Sequence, residues 1–132
     1  MGEQADALAR RIGYFSLAVL RLVQQLPRDV AADAVIRQLA RSASGTSANY
    51  RAACCARSRA DFVAKLAIAV EEADETGHWL WMAGELGLAP RPGIEPLDGE
   101  ARELRAILSA SLSTARRNLR RDIERRAAKR GP

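Results

Sequence analysis

Three groups of residues in this chain have types and spacings that could do chemistry. "ETGH", Glu75 to His78, has the Glu-x-x-His spacing that projects a carboxylate and an imidazole from one helical face in di-iron four-helix bundles. Such a site needs a second copy of the motif, and His78 is the only histidine, so one chain cannot build it and no metal ligand set is expected. Cys54 and Cys55 could supply a thiolate nucleophile, but adjacent helical residues point about 100° apart, so at most one of them shares a face with a base. Burial as a small apolar residue is the stronger reading. The carboxylates of "EEADE", Glu71 to Glu75, accompany no glycine-rich phosphate loop and no ligand cluster, and they read as a charged face, solvated or between subunits. No catalytic residue, cofactor or metal is expected.

The clearest charge signal lies between residues 116 and 130. Eight basic residues stand there against Asp122 and Glu124, a local excess of six positive charges. Arg116, Arg117, Arg120, Arg121, Arg125 and Lys129 are expected away from an apolar edge of Leu119 and Ile123, offered to phosphates. Arg126 and Arg130 fall in the apolar sector, so the packed helix is expected to end near Ile123 or Ala127. A basic helix end also complements its own macrodipole, and a solvated tail is the competing reading.

Composition agrees with an electronegative partner without requiring one. Of 21 basic residues 19 are arginine, against 16 acidic residues. Arginine favours planar multidentate contact with phosphate or carboxylate, although ordinary solubility explains it equally well. Two adjacent cysteines make neither a disulfide framework nor a zinc or redox motif. "RRIGYFSLAVL" imitates a signal sequence, but Arg21 closes the apolar run and no cleavage site follows. No segment approaches the roughly 18 apolar residues of a bilayer span. A soluble, cytoplasmic protein with no membrane partner is expected.

These residues must be positioned by helices. The chain has 132 residues, 48% hydrophobic, one domain's worth, able to bury about two-thirds of its unfolded surface. Leu8, Ile12, Phe15, Val19, Leu22 and Leu26 form one apolar stripe that Pro27 ends. Asp29 can cap a second helix whose stripe begins at Val30, Ala34 and Leu39. In "SRAD", the Ser58 hydroxyl can accept from the Asp61 amide while the Asp61 carboxylate reaches back. The third stripe is Phe62, Leu66, Ala69, Ala73, Thr76, Leu80 and Ala83, stopped by Gly87 and Pro90. "APRPGIEPLDGE" then reads as the longest connection, before a fourth stripe of Leu97, Ala101, Leu104, Leu108, Leu112, Ala115, Leu119 and Ile123. Helices over about 5–26, 30–56, 59–87 and 97–127, joined by short connections, predict an all-α, up-down-up-down antiparallel four-helix bundle over residues 1–132.

"SASGTSANYRAACC", residues 42 to 55, sets poor helix formers in the middle of the second helix. Gly45 there costs about 0.5–1 kcal/mol relative to alanine, and close approach of another helix, within the bundle or in another subunit, is the expected compensation. Asn49 is a candidate for fixing helix register or else faces water. An antiparallel turn near Arg57 sets Arg51 opposite residues 63 to 66, so Glu72 and Glu75 are matched to arginines farther up helix two, such as Arg41, or to another subunit. Trp79 and Trp81, two apart, cannot both face one core, and either can be the one at a contact.

The stretch Ser44 to Leu88 resembles the four helix bundle protein family, also called 23S rRNA-intervening-sequence proteins. The likeness is carried by Ser47 and Asn49 before the turn, the Arg57 to Phe62 junction, and the acidic run followed by Trp79 and Leu80. Many members read Asn-Ile-Ala-Glu-Gly where this chain has Asn49, Tyr50, Arg51, Ala52 and Ala53, so that carboxylate is absent here. The resemblance implies a homopentamer of four-helix bundles without catalytic activity. It also implies a fold similar to the accessory variability determinant of diversity-generating retroelements, a basic pentamer that works with a reverse transcriptase and RNA. Two functions follow as expectations: an oligomeric adapter binding RNA or DNA through the basic end, or a scaffold for a protein partner.

Overall fold

The structure is a computed structural model that describes residues 2–132. Four helices follow one another: α1 (Glu3–Gln25), α2 (Val30–Cys54), α3 (Arg59–Glu85) and α4 (Arg91–Arg130). Their pairings are antiparallel, because residue numbers run in opposite directions across each contact. Ser16 and Gly13 of α1 face Ala43 and Ser47 of α2. Arg41 and Gly45 of α2 face Glu75 and Glu72 of α3. Asp74 and Arg59 of α3 face Arg105 and Asp122 of α4. The α2–α3 interface is the most extensive and α1–α4 the least, so the bundle closes round a core of Ile12, Val19, Leu39, Leu66, Leu80, Leu104 and Leu108.

The helix boundaries follow local chemistry. Leu26, before Pro27, is extended with ψ 144°, as the proline ring disfavours helical geometry in the residue preceding it. Asp29 Oδ1 accepts from the Ala32 amide at 2.8 Å, and Ser58 Oγ accepts from the Asp61 amide at 3.0 Å. The Asp61 carboxylate is taken by Lys65 Nζ at 3.0 Å, which draws its pKa below the usual carboxylate range. At the end of α3, Gly87 adopts φ 65°, while the Leu88 amide bonds the Ala83 carbonyl and the Gly87 amide bonds that of Gly84. This is a Schellman termination, for which glycine supplies the left-handed residue.

Two expectations are corrected. The stretch expected as the longest connection is helical from Arg91, six residues before Leu97. Pro92 lies in the first turn, where its missing N–H bonds nothing, so Pro96 alone removes a bond, the one to the Pro92 carbonyl. Burial of Ile94 over Gly84, together with half-buried Leu97, offsets it. The stripe of α2 also differs: Val30 is 92% exposed and Ala34 is exposed, and the inward face is Ala32, Val35, Ile36, Leu39, Ala43, Thr46, Tyr50 and Ala53. The Asp29 cap fixes where the first turn begins, and that phase turns Val30 to solvent.

At its far end α4 stays helical to Arg130, past the expected stop. Its last buried residue is Leu112, Ala115 and Leu119 are half-buried, and Ile123 is 55% exposed. Packing therefore ends before the helix does.

Candidate nucleic-acid interface

The small-residue segment of α2 is unbroken helix, wedged between α1 and α3. Ser42 and Thr46 are fully buried, and their hydroxyls turn back to carbonyls of their own helix, Thr46 Oγ1 to Ser42 at 2.8 Å and Ser42 Oγ to Leu39 at 3.4 Å. Toward α1, Ser16 Oγ donates to the Ala43 carbonyl at 2.6 Å. Toward α3, Thr76 Oγ1 lies 3.0 Å from Ser42 Oγ and 2.8 Å from the Glu72 carbonyl. A β-carbon at Gly45 would meet Glu72 Oε2 at 2.8 Å, so the glycine makes room for a carboxylate. Compensation for the weak helicity of this segment therefore lies inside the bundle.

Arg41 bonds Glu72 at 3.2 Å through Nη1 and Glu75 through Nη2, as the sequence spacing led one to expect. Asn49 is half-buried and donates to the Gly45 carbonyl of its own helix at 2.8 Å, so the register between helices rests on Ser42 and Thr76 instead. Ser47 is half-buried on the seam with α1, and Phe62 packs half-buried against the core. Trp79 is the inward tryptophan and Trp81 the outward one, 57% exposed. Sequence reasoning missed Arg11, which bonds Glu100 at 2.7 Å and Glu103 at 3.0 Å across the α1–α4 seam. The Arg11 guanidinium holds the Glu100 carboxyl below its ordinary pKa against the opposing effect of desolvation. No periodicity could have exposed that pair, since it depends on how α1 and α4 meet.

The residues with chemical spacing are dispersed. Glu75 is occupied by Arg41, and the His78 ring meets Trp79 edge-on at 4.9 Å. Among the described residues no three His, Cys, Asp or Glu converge as a metal site. Burial raises the pKa of the Cys54 thiol, and that of the buried Tyr50 beside it.

The basic segment is positioned by α4. Arg59 at the start of α3 pairs with Asp122 at 3.2 Å, which sets the end of the bundle level with residue 122. Residues 123–130 continue as helix for about 12 Å at 1.5 Å per residue. Arg116, Arg117, Arg120, Arg121, Arg125, Arg126, Lys129 and Arg130 are all exposed. None of the eight is ion-paired among the described residues; Arg117 reaches only the Thr114 hydroxyl, at 3.3 Å. Seven residues separate Arg116 from Ile123, which at 100° per residue returns it to within about 20° of that side chain. The eight cations therefore surround the last turns of α4 instead of lying opposite an apolar edge, and four of them, Arg125, Arg126, Lys129 and Arg130, stand on the projecting part.

No helix among the described residues is long and apolar enough to cross a membrane. No curated protein matches the chain. Its fold is similar to a solved structure, a protein with unknown function from the S23 ribosomal protein family of Bacteroides thetaiotaomicron. The two are 27% identical, with a TM-score of 0.75, over 83% of this chain and 97% of that one. The sequence model of the 23S rRNA-intervening sequence protein family matches residues 9–110, which takes in most of the bundle and stops short of the basic segment. With four antiparallel helices in the same span, the chain belongs to the 23S rRNA-intervening sequence protein family.

Proposed function

We propose that this protein is a non-catalytic, oligomeric adapter that binds RNA or DNA through the carboxy-terminal part of α4. One observation carries the reading: the last turns of α4 bear eight exposed cations, four of them past the packed end of the bundle, and none of the eight has a carboxylate partner among the described residues. Isolated charges of this kind gain little from neighbours in water, whereas phosphate contact releases condensed counterions. Repetition round an oligomer multiplies the gain, because the second contact becomes intramolecular. The segment lies outside residues 9–110, which the family's sequence model matches.

Fluorescence anisotropy with a labelled duplex DNA and a labelled RNA hairpin tests the reading between about 50 and 300 mM salt. If six phosphates are engaged on a duplex, the logarithm of affinity falls with the logarithm of salt with a slope of about −5. Replacing Arg116, Arg117, Arg120, Arg121, Arg125 and Lys129 by glutamine abolishes binding; affinity unchanged by that replacement disproves the proposal.

A second reading, a scaffold for a protein partner, is favoured by Trp81, which is 57% exposed on the outer side of α3. Capture of a partner that Trp81→Ser releases, without affinity for either nucleic acid, would establish it instead.

A further inference from the structure

A shallow recess opens between α3 and α4 beside the basic segment. Its volume is about 400 Å³, and Phe62 of α3 lines it together with Ala110, Ser111, Thr114, Ala115 and Asn118 of α4. Its place follows from where the helices stand. Arg11 of α1 is level with Glu100, so Glu3, the first residue of α1, is level with about residue 108 of the antiparallel α4. Asn118 lies about five full turns from Glu100 and so on the same side of α4. At that level no helix crosses this side among the described residues, and the recess is walled by α3 and α4 alone. Phe62, half-buried, packs on the core and also lines the recess.

The recess combines the parts that hold an unpaired nucleotide. Phe62 offers an aromatic surface, and Ala110 and Ala115 leave space beside it. The Asn118 amide, which can both donate and accept, has no hydrogen-bond partner among the described residues. Cations stand at the rim. Arg117 Nη2 donates to Thr114 Oγ1 at 3.3 Å, which sets one guanidinium beside a lining residue. Thr114, Asn118, Arg121 and Arg125 follow a four-three-four spacing, so one stripe of α4 runs from the recess onto the projecting helix. Arg117, Arg121 and Arg125 stand about 6 Å apart along the axis, one turn each, a step comparable with that between successive phosphates of an extended strand. The cations decide the class of ligand: an apolar molecule needs none of them, whereas a nucleotide brings a π-face for Phe62 and a phosphate for Arg117 in one unit.

We propose that the recess receives an unpaired base of single-stranded RNA or DNA, held against the Phe62 ring and bonded at its edge by Asn118, with the flanking phosphates on Arg117, Arg121 and Arg125. The inference rests on the nucleic-acid reading above and adds which form of nucleic acid is taken. A base inside a duplex is closed off by its pair and by its neighbours in the stack. A duplex therefore engages the arginines alone and gains nothing from Phe62.

Fluorescence anisotropy tests the subsite with labelled probes of about 12 nucleotides: oligo(rU), oligo(dT), an abasic strand and a duplex. The tighter of the two base-bearing strands, which identifies RNA or DNA as the ligand, binds at least about fivefold more tightly than the abasic strand with the same phosphates. Phe62→Leu removes that advantage and leaves the affinities for the abasic strand and the duplex unchanged. Circular dichroism verifies folding, and Ser111→Tyr, which fills the recess from α4, gives the same readout should Phe62→Leu fail to fold. On irradiation an iodouracil-bearing strand cross-links to the peptide that contains Phe62. Equal affinity for base-bearing and abasic strands, an advantage that survives both substitutions in folded protein, or cross-links confined to other peptides overturns the proposal. The two readings fail differently: equal affinity for all strands that still disappears with the arginine replacement overturns the base site alone, whereas no affinity for any probe overturns the adapter function with it.

Discussion

The Glu72 carboxylate occupies the space where a β-carbon on Gly45 would stand, with Oε2 2.8 Å from that position, while Arg41 holds the same carboxylate from the other side. The glycine and the ion pair are therefore one arrangement. Alanine at residue 45 would gain up to about 1 kcal/mol of helix propensity but must displace Glu72. Gly45→Ala is expected to be neutral or destabilising in the wild type and stabilising in the Glu72→Ala background. A coupling of at least about 0.5 kcal/mol in a urea double-mutant cycle checks this, and additive effects would contradict it.

Ser42 and Thr76 form a buried hydroxyl pair that sets the register of α2 against α3. Thr76→Val leaves Ser42 facing a methyl group and is expected to cost about 1–2 kcal/mol. Adding Ser42→Ala removes the stranded group and recovers part of that loss, as thermal denaturation of the single and double variants will register.

Ser58 is the amino-terminal cap of α3, and its hydroxyl serves the Asp61 amide. Ser58→Ala is expected to lower stability by about 1 kcal/mol, and Ser58→Asp to preserve it. Chemical denaturation of the two variants distinguishes a capping role from mere side-chain loss.

Glu100 has a depressed pKa in the fold because of Arg11. The sign follows directly: its contribution is fully present above the unfolded value and is lost as pH falls through the lower folded value. The pair is part exposed, so the contribution at neutral pH is below about 1 kcal/mol. The difference in melting temperature between wild type and Glu100→Gln is expected to be small and positive at pH 7 and to vanish as pH falls below the ordinary carboxylate range.

Residues 124–132 make no buried contact. Their deletion is expected to shift the melting temperature by no more than about 2 °C, since surface residues without packing contribute little. Calorimetry of the truncated protein checks this, and a large drop would mean that the projecting helix is tied down elsewhere.

Much of the bundle was legible because burial on a helix imposes a period. The stripes of α1 and α3 fell where the residue spacing set them, and Asp29 and Ser58 announced their helix starts. Arg41 could be matched to Glu72 and Glu75 because an antiparallel turn fixes which residues stand level. Residues 91–96 misled because proline and glycine report local preference, while Ile94 is held by contact with α3. The role of Asn49 also stayed hidden, since periodicity gives the face of a side chain and not the acceptor it finds.

The sequence by itself determined four antiparallel helices, their main apolar faces and a cationic end, since these depend on spacing within about one turn and on short connections. Only the tertiary structure decided that Glu72 fills the space at Gly45, that Trp81 and not Trp79 turns outward, and that packing stops before α4 does. Each of these depends on the distance and angle between helices, which are set by side-chain volumes meeting across an interface and by no residue acting alone.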